Sequence, residues 1–134
     1  MSAARADRDR ASPVPVVIAV AFGLLLLGFG IWAFAGPASF YQRVATYPPY
    51  SRHLMHDLGA FQIGVGALVF AALFFRDGVL AALFGGGVGA VLHFVAHLED
   101  RHLGGRSSDP WTVGVIALAV VIAAVWRAVD VRRS

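Results

Sequence analysis

Read for hydrophobic and polar positions, the chain is four long apolar runs joined by short polar breaks. The first run, residues 14–35, carries no charge, and is long enough at about 1.5 Å per helical residue to cross a hydrocarbon core of about 30 Å. Ala33-Phe34-Ala35 has the small-x-small look of a signal-peptidase site. The run nevertheless exceeds the usual signal core of about 7–15 residues, so a retained helix is expected. Gly36-Pro37 ends it, because a proline disfavours helical geometry before it and has no N–H to donate.

Residues 38–52 are amphipathic: Phe40, Tyr41, Tyr47 and Tyr50 are interleaved with Gln42, Arg43 and Arg52. Aromatic rings of this kind favour the headgroup level, so the segment is expected along the membrane surface, with a short helix over residues 38–45 and a break at Pro48-Pro49. The second run spans about 51–75, with Ser51 a candidate N-cap. Arg76-Asp77-Gly78 reads as a tight turn, which returns the third run, about 79–98, antiparallel beside the second. Gly85-Gly86-Gly87 and Gly89 would argue against a helix in water, but small residues let membrane helices approach closely. A polar loop follows. Ser108 or Asp109 can cap the last run, about 111–129, with Pro110 in its first turn. The expected architecture is all-α: one four-helix transmembrane bundle over residues 14–131, up-down-up-down, between polar tails at 1–13 and 132–134.

Composition agrees. The 134 residues are 58% hydrophobic and 14% charged, with a mean hydropathy of +0.71, whereas soluble domains are about 45–50% apolar and about 25% charged. The net charge of +3 comes from scattered arginines that gather towards the two ends. Membrane orientation accounts for them, and nucleic acid is not an expected partner. With four spans both termini share one side, and seven arginines lie on that side against four on the other. This places both termini in the cytoplasm of a cell (plasma or inner) membrane. There is no cysteine, which removes disulfides, thiolate metal sites, Cys-ligated iron–sulfur clusters and thioether-linked haem.

The candidate chemistry lies where the runs end. All five histidines fall in or just after 52–57 and 93–100. His93, His97 and Asp100 are spaced by four and three, so they share a helix face; His53 and Asp57 do likewise, with His56 adjoining. Below each cluster runs a stripe of small residues, Gly86 and Gly89 on the third span and Ala60, Gly64, Ala67 and Ala71 on the second. Packing these stripes together would bring Asp57 level with His97 and Phe61 level with His93, joining the clusters at the outer end.

Three kinds of function fit such a cluster. His53, His56, Asp57, His93 and His97 are candidate ligands of a divalent metal, Asp100 being a ligand or an outer partner. Haem would need one histidine from each of two facing helices, such as His56 with His93 or His97. A quinone headgroup would need a proton-exchanging His or Asp beneath an aromatic rim such as Tyr47, Tyr50 and Phe61. The plain alternative is a structural or interaction protein in which the cluster only secures helix packing. A transporter is disfavoured because no charged path leads to the cytoplasmic side. No serine stands near a base at a nucleophile's spacing, and the triple glycine lacks the strand and the Lys-Ser/Thr of a phosphate loop. Partners beyond the lipid bilayer would be a larger membrane complex or further copies of the chain.

The pattern Phe40-Tyr41, then Pro49-Tyr50-x-x-His53-Leu54-x-x-Asp57-x-Gly59-Ala60, then His93-x-x-x-His97, resembles small four-helix bacterial membrane proteins described as uncharacterised or DoxX-like. The layout is similar over residues 16–130. The resemblance implies an accessory membrane protein associated with redox complexes, including quinone-coupled ones, and carries no site residue with it.

Overall fold

A computed structural model describes residues 12–75 and 78–133. The expected N-terminal tail, apart from its last residues, and the turn at Arg76-Asp77 lie outside the described residues. Among those described there are five helices and no strand: α1 (Val14–Ala35), α2 (Pro37–Arg43), α3 (Arg52–Ala72), α4 (Gly78–Glu99) and α5 (Asp109–Arg133). α1, α3, α4 and α5 are each long and apolar enough to cross a membrane. Their outward faces carry large apolar side chains such as Leu24, Leu68, Phe84 and Leu118, and no polar or charged residue among those described is buried. This is the surface of a protein solvated by lipid. The chain is a small multi-pass membrane protein.

Local chemistry sets the helix ends. Pro15 sits in the first turn of α1, where its missing N–H is not needed. At the other end the Gly36 N–H still reaches the Trp32 carbonyl at 2.8 Å, and Pro37 then opens α2. α2 is held by Phe40, which is buried and meets Phe29 and Trp32 edge-on at 6.0 and 5.6 Å. The Trp32 indole N–H donates to Ser39 Oγ at 2.9 Å, and the Ser39 hydroxyl donates to the Gly36 carbonyl. Ser51 caps α3, accepting from the Leu54 N–H at 3.3 Å. At α5 the Asp109 carboxylate accepts from the Arg106 N–H at 2.7 Å, so it shapes the turn entering the helix.

The closest helix approach is between α1 and α3. A methyl group on Gly59 would come within 2.7 Å of the Gly30 carbonyl oxygen, and one on Gly30 within 2.8 Å of the Ile63 nitrogen. Further along, Gly66 faces Leu27 and Gly23 faces Val69. The paired numbers fall on one helix as they rise on the other, so α1 and α3 are antiparallel. α4 and α5 form the second close pair, Gly87 lying against Val120 and Val121 and Gly114 against Phe94, again antiparallel.

This differs from the expected seam between the second and third spans. Ala60, Gly64, Ala67 and Ala71 are exposed, and so is Gly89; a methyl group on Gly64 or Gly89 would meet nothing within 4 Å. The buried face of α3 instead runs through Met55, Gly59, Gly66, Val69 and Ala72. The physical reason is that Gly59 meets a glycine of α1, and two facing glycines allow backbones closer together than alanines allow.

Burial falls into two clusters. One joins all four long helices through Ala19, Val69, Ala72, Val79, Ala82, Leu83, Val120 and Ala123. The other, Ala33, Phe40 and Met55, belongs to α1, α2 and α3 alone. At that level α4 has no share in the core, and there a cleft forms beside it.

Candidate functional site

The cleft has a volume of about 180 Å³ and is lined by Tyr47, His93, Ala96, His97 and Asp100. Three of the five come from the last turns of α4, where spacings of three and four residues set side chains above one another. His93 lies six residues before the helix end at Glu99, about 9 Å deep at about 1.5 Å per residue. Asp100 follows the helix directly. His93, Ala96 and Asp100 are exposed, while His97 and Tyr47 are half-buried. The site thus opens at the side of α4.

Tyr47 enters from the segment after α2. Its hydroxyl lies 3.0 Å from His97 Nδ1, and the two rings meet edge-to-face at 5.8 Å. His93 and His97 form a second edge-to-face pair at 4.7 Å. Two further contacts clasp the Tyr47 segment to the loop after α4. The Gly105 N–H donates to the Thr46 carbonyl at 3.2 Å. The Arg106 guanidinium donates to the Arg43 carbonyl at 2.6 Å, satisfying a carbonyl that the end of α2 leaves without a helical partner. Gly104 and Gly105 have φ of +152° and +79°, and a methyl group on Gly105 would stand 2.6 Å from the Tyr47 oxygen. Only glycine lets the loop pass this close to the ring. Burial raises the Tyr47 phenol above its ordinary value of 10.0, and the negative charges of Asp109 and Asp100 add to the shift.

The other expected site residues are elsewhere. His53 and Asp57 pair with each other along α3 at 3.4 Å, their side chains 88% and 53% exposed. The His56 ring lies against Phe34 of α1 at 5.1 Å. Among the described residues none of these three makes a hydrogen bond, ion pair or ring contact with His93, His97 or Asp100, and no three His, Asp or Glu side chains gather as a group able to hold a metal ion. The rotation of α3 towards α1 explains the separation. Of the aromatic rim, Tyr47 reaches the site, Tyr50 lies tilted against Tyr41 with ring centres 5.1 Å apart, and Phe61 is 77% exposed.

Sequence reasoning places Tyr47 at a rim but misses its bond to His97. The two lie 50 positions apart, and no local pattern links them. The clasp by Arg106 is missed for the same reason. Compared with known proteins, the chain matches no family, no curated protein and no solved structure.

Proposed function

We propose that the cleft beside α4 binds the ring of a membrane-dissolved quinone, and that the protein serves as an accessory component of a redox complex in the bacterial plasma membrane. The bundle then runs up-down-up-down with both termini in the cytoplasm and the cleft at the outer leaflet. One observation carries this: Tyr47, His97 and His93 converge, with hydrogen-bonding edges, on a cleft open at the side of a lipid-exposed helix. A quinone needs such an arrangement, polar groups for its ring oxygens beside an apolar surface for its tail. The motif-level likeness to DoxX-like proteins points the same way.

A metal at this site would draw on His93, His97 and Asp100, and haem on His56 facing one of the α4 histidines. The donor sets favour neither: His97 already has Nδ1 engaged by Tyr47, and His56 rests on Phe34. The structural reading has its own support in the clasp of Tyr47 on His97, Gly105 on Thr46 and Arg106 on Arg43. In that reading the cluster ties the surface segment to the bundle and binds nothing.

Calorimetric titration of the protein in nanodiscs with a 1,4-benzoquinone bearing a decyl tail separates these readings. Saturable binding that disappears in a folded His93→Ala/His97→Ala variant supports the quinone site. Stoichiometric metal by elemental analysis, or a Soret band, would replace it with a metal or haem. If the protein carries neither and the quinone does not bind, only the structural role remains.

A further inference from the structure

We infer that Tyr47 is a positioning residue: its hydroxyl donates to His97 Nδ1, holding the His97 proton on Nε2, so that the site recognises a hydrogen-bond acceptor, the carbonyl oxygen of its ligand. This rests on the quinone reading for the identity of the ligand; the state of His97 rests on its contact with Tyr47 and not on the ligand.

A neutral imidazole has one N–H donor and one acceptor nitrogen, and a phenol can donate or accept. The 3.0 Å contact therefore has two possible directions. Among the described residues the Tyr47 hydroxyl has no other hydrogen-bond partner. If Nδ1–H donated to Tyr47, the phenol proton would have no acceptor among the described residues and would point where the Gly105 backbone lies close against the hydroxyl. If the phenol donates, the donor left over is the His97 Nε2–H, on a residue that lines the open cleft.

With Nδ1 accepting, the other nitrogen must carry the proton. His97 then has no free lone pair in the ring plane for a metal ion, because one nitrogen is hydrogen-bonded and the other protonated. It has one N–H left to give. A ligand that engages it must offer an oxygen or nitrogen lone pair, as a quinone carbonyl does and a cation does not.

The test is side-chain ¹⁵N NMR of histidine-labelled protein in micelles at about pH 8.5, above the ordinary histidine range, with His97 assigned by a His97→Gln variant. Wild type should show His97 with Nδ1 bare and Nε2 protonated. In Tyr47→Phe the Nδ1 resonance should move to that of a nitrogen without this hydrogen bond, and affinity for the decyl benzoquinone should fall roughly three- to tenfold, the weight of one hydrogen bond. A His97 protonated on Nδ1 in wild type overturns the inference. So does a Tyr47→Phe variant with an unchanged Nδ1 resonance and unchanged quinone affinity. The tautomer is read in ligand-free protein, so a wild type that binds no quinone sinks the functional proposal alone, and the imidazole resonances still decide this one.

Discussion

The Tyr47 hydroxyl sits 3.0 Å from His97 Nδ1 and joins the segment after α2 to the C-terminal end of α4. That bond and the two contacts beside it tie the segment to α4 and the loop after it, while Val44 and Ala45 pack it on the core of α1, α2 and α3. Gly105 makes the approach possible. An alanine there meets the Tyr47 oxygen at 2.6 Å and must also hold a φ of +79°, which costs an L-residue roughly 1–2 kcal/mol. Gly105→Ala should therefore lower the thermal midpoint in detergent and abolish the Tyr47–His97 ring contact in NMR. Gly85→Ala, at a position with nothing within 4 Å, should do neither. An intact contact in Gly105→Ala would mean that the clasp is looser than the geometry indicates.

Helix packing yields a sharper contrast. Gly59 and Gly64 both lie in the apolar part of α3, yet only Gly59 is backed by another backbone. Gly59→Ala should destabilise by about 1–3 kcal/mol through overpacking against Gly30 and Phe34. Gly64→Ala should be neutral, or stabilising by up to about 1 kcal/mol, since alanine is the better helix former. Equilibrium unfolding in mixed micelles measures both. Had α3 packed on α4 through its Ala60–Ala71 stripe, the order would reverse.

The four long helices are legible in the sequence because each apolar run outlasts a bilayer and ends at Gly-Pro, Ser or Asp-Pro signals that act locally. Ser51 capping α3 is such a case. The face each helix buries is not legible in the same way. Small residues lie on both sides of α3, Gly59 and Gly66 on one and Ala60, Gly64 and Ala67 on the other, and the positions of Gly30 and Gly23 on α1 select between them. That selection also decides the site. His93, His97 and Asp100 come together because they share one helix face, which spacing reveals. Asp57 is not added to them, because α3 turns towards α1.

The Tyr47 phenol gives the clasp a pH limit on the alkaline side. Its folded value is raised above 10.0, so the folded protein holds this proton more tightly than the unfolded chain does. The corresponding stability is complete below the unfolded value and is lost as pH rises through the folded one. Phenolate absorbance, taken as wild type minus Tyr47→Phe, should show a single transition above the ordinary tyrosine range. The thermal stability difference between the two proteins should shrink over the same window. A transition at or below the ordinary value would show that Tyr47 is solvated and that the clasp is open in solution.

Orientation can be decided with the chain's own lack of cysteine. Ser107 is exposed in the loop between α4 and α5, on the same side of the bundle as Tyr47 and the cleft. A Ser107→Cys variant carries one thiol on an otherwise thiol-free background, so labelling reports that loop alone. If both termini are cytoplasmic, a membrane-impermeant maleimide should label Ser107→Cys in intact cells and leave a Ser134→Cys variant unlabelled until the membrane is opened. The opposite pattern would put the cleft in the cytoplasmic leaflet. The seven-to-four arginine bias would then have misled, and any quinone bound there would exchange its protons with the cytoplasm.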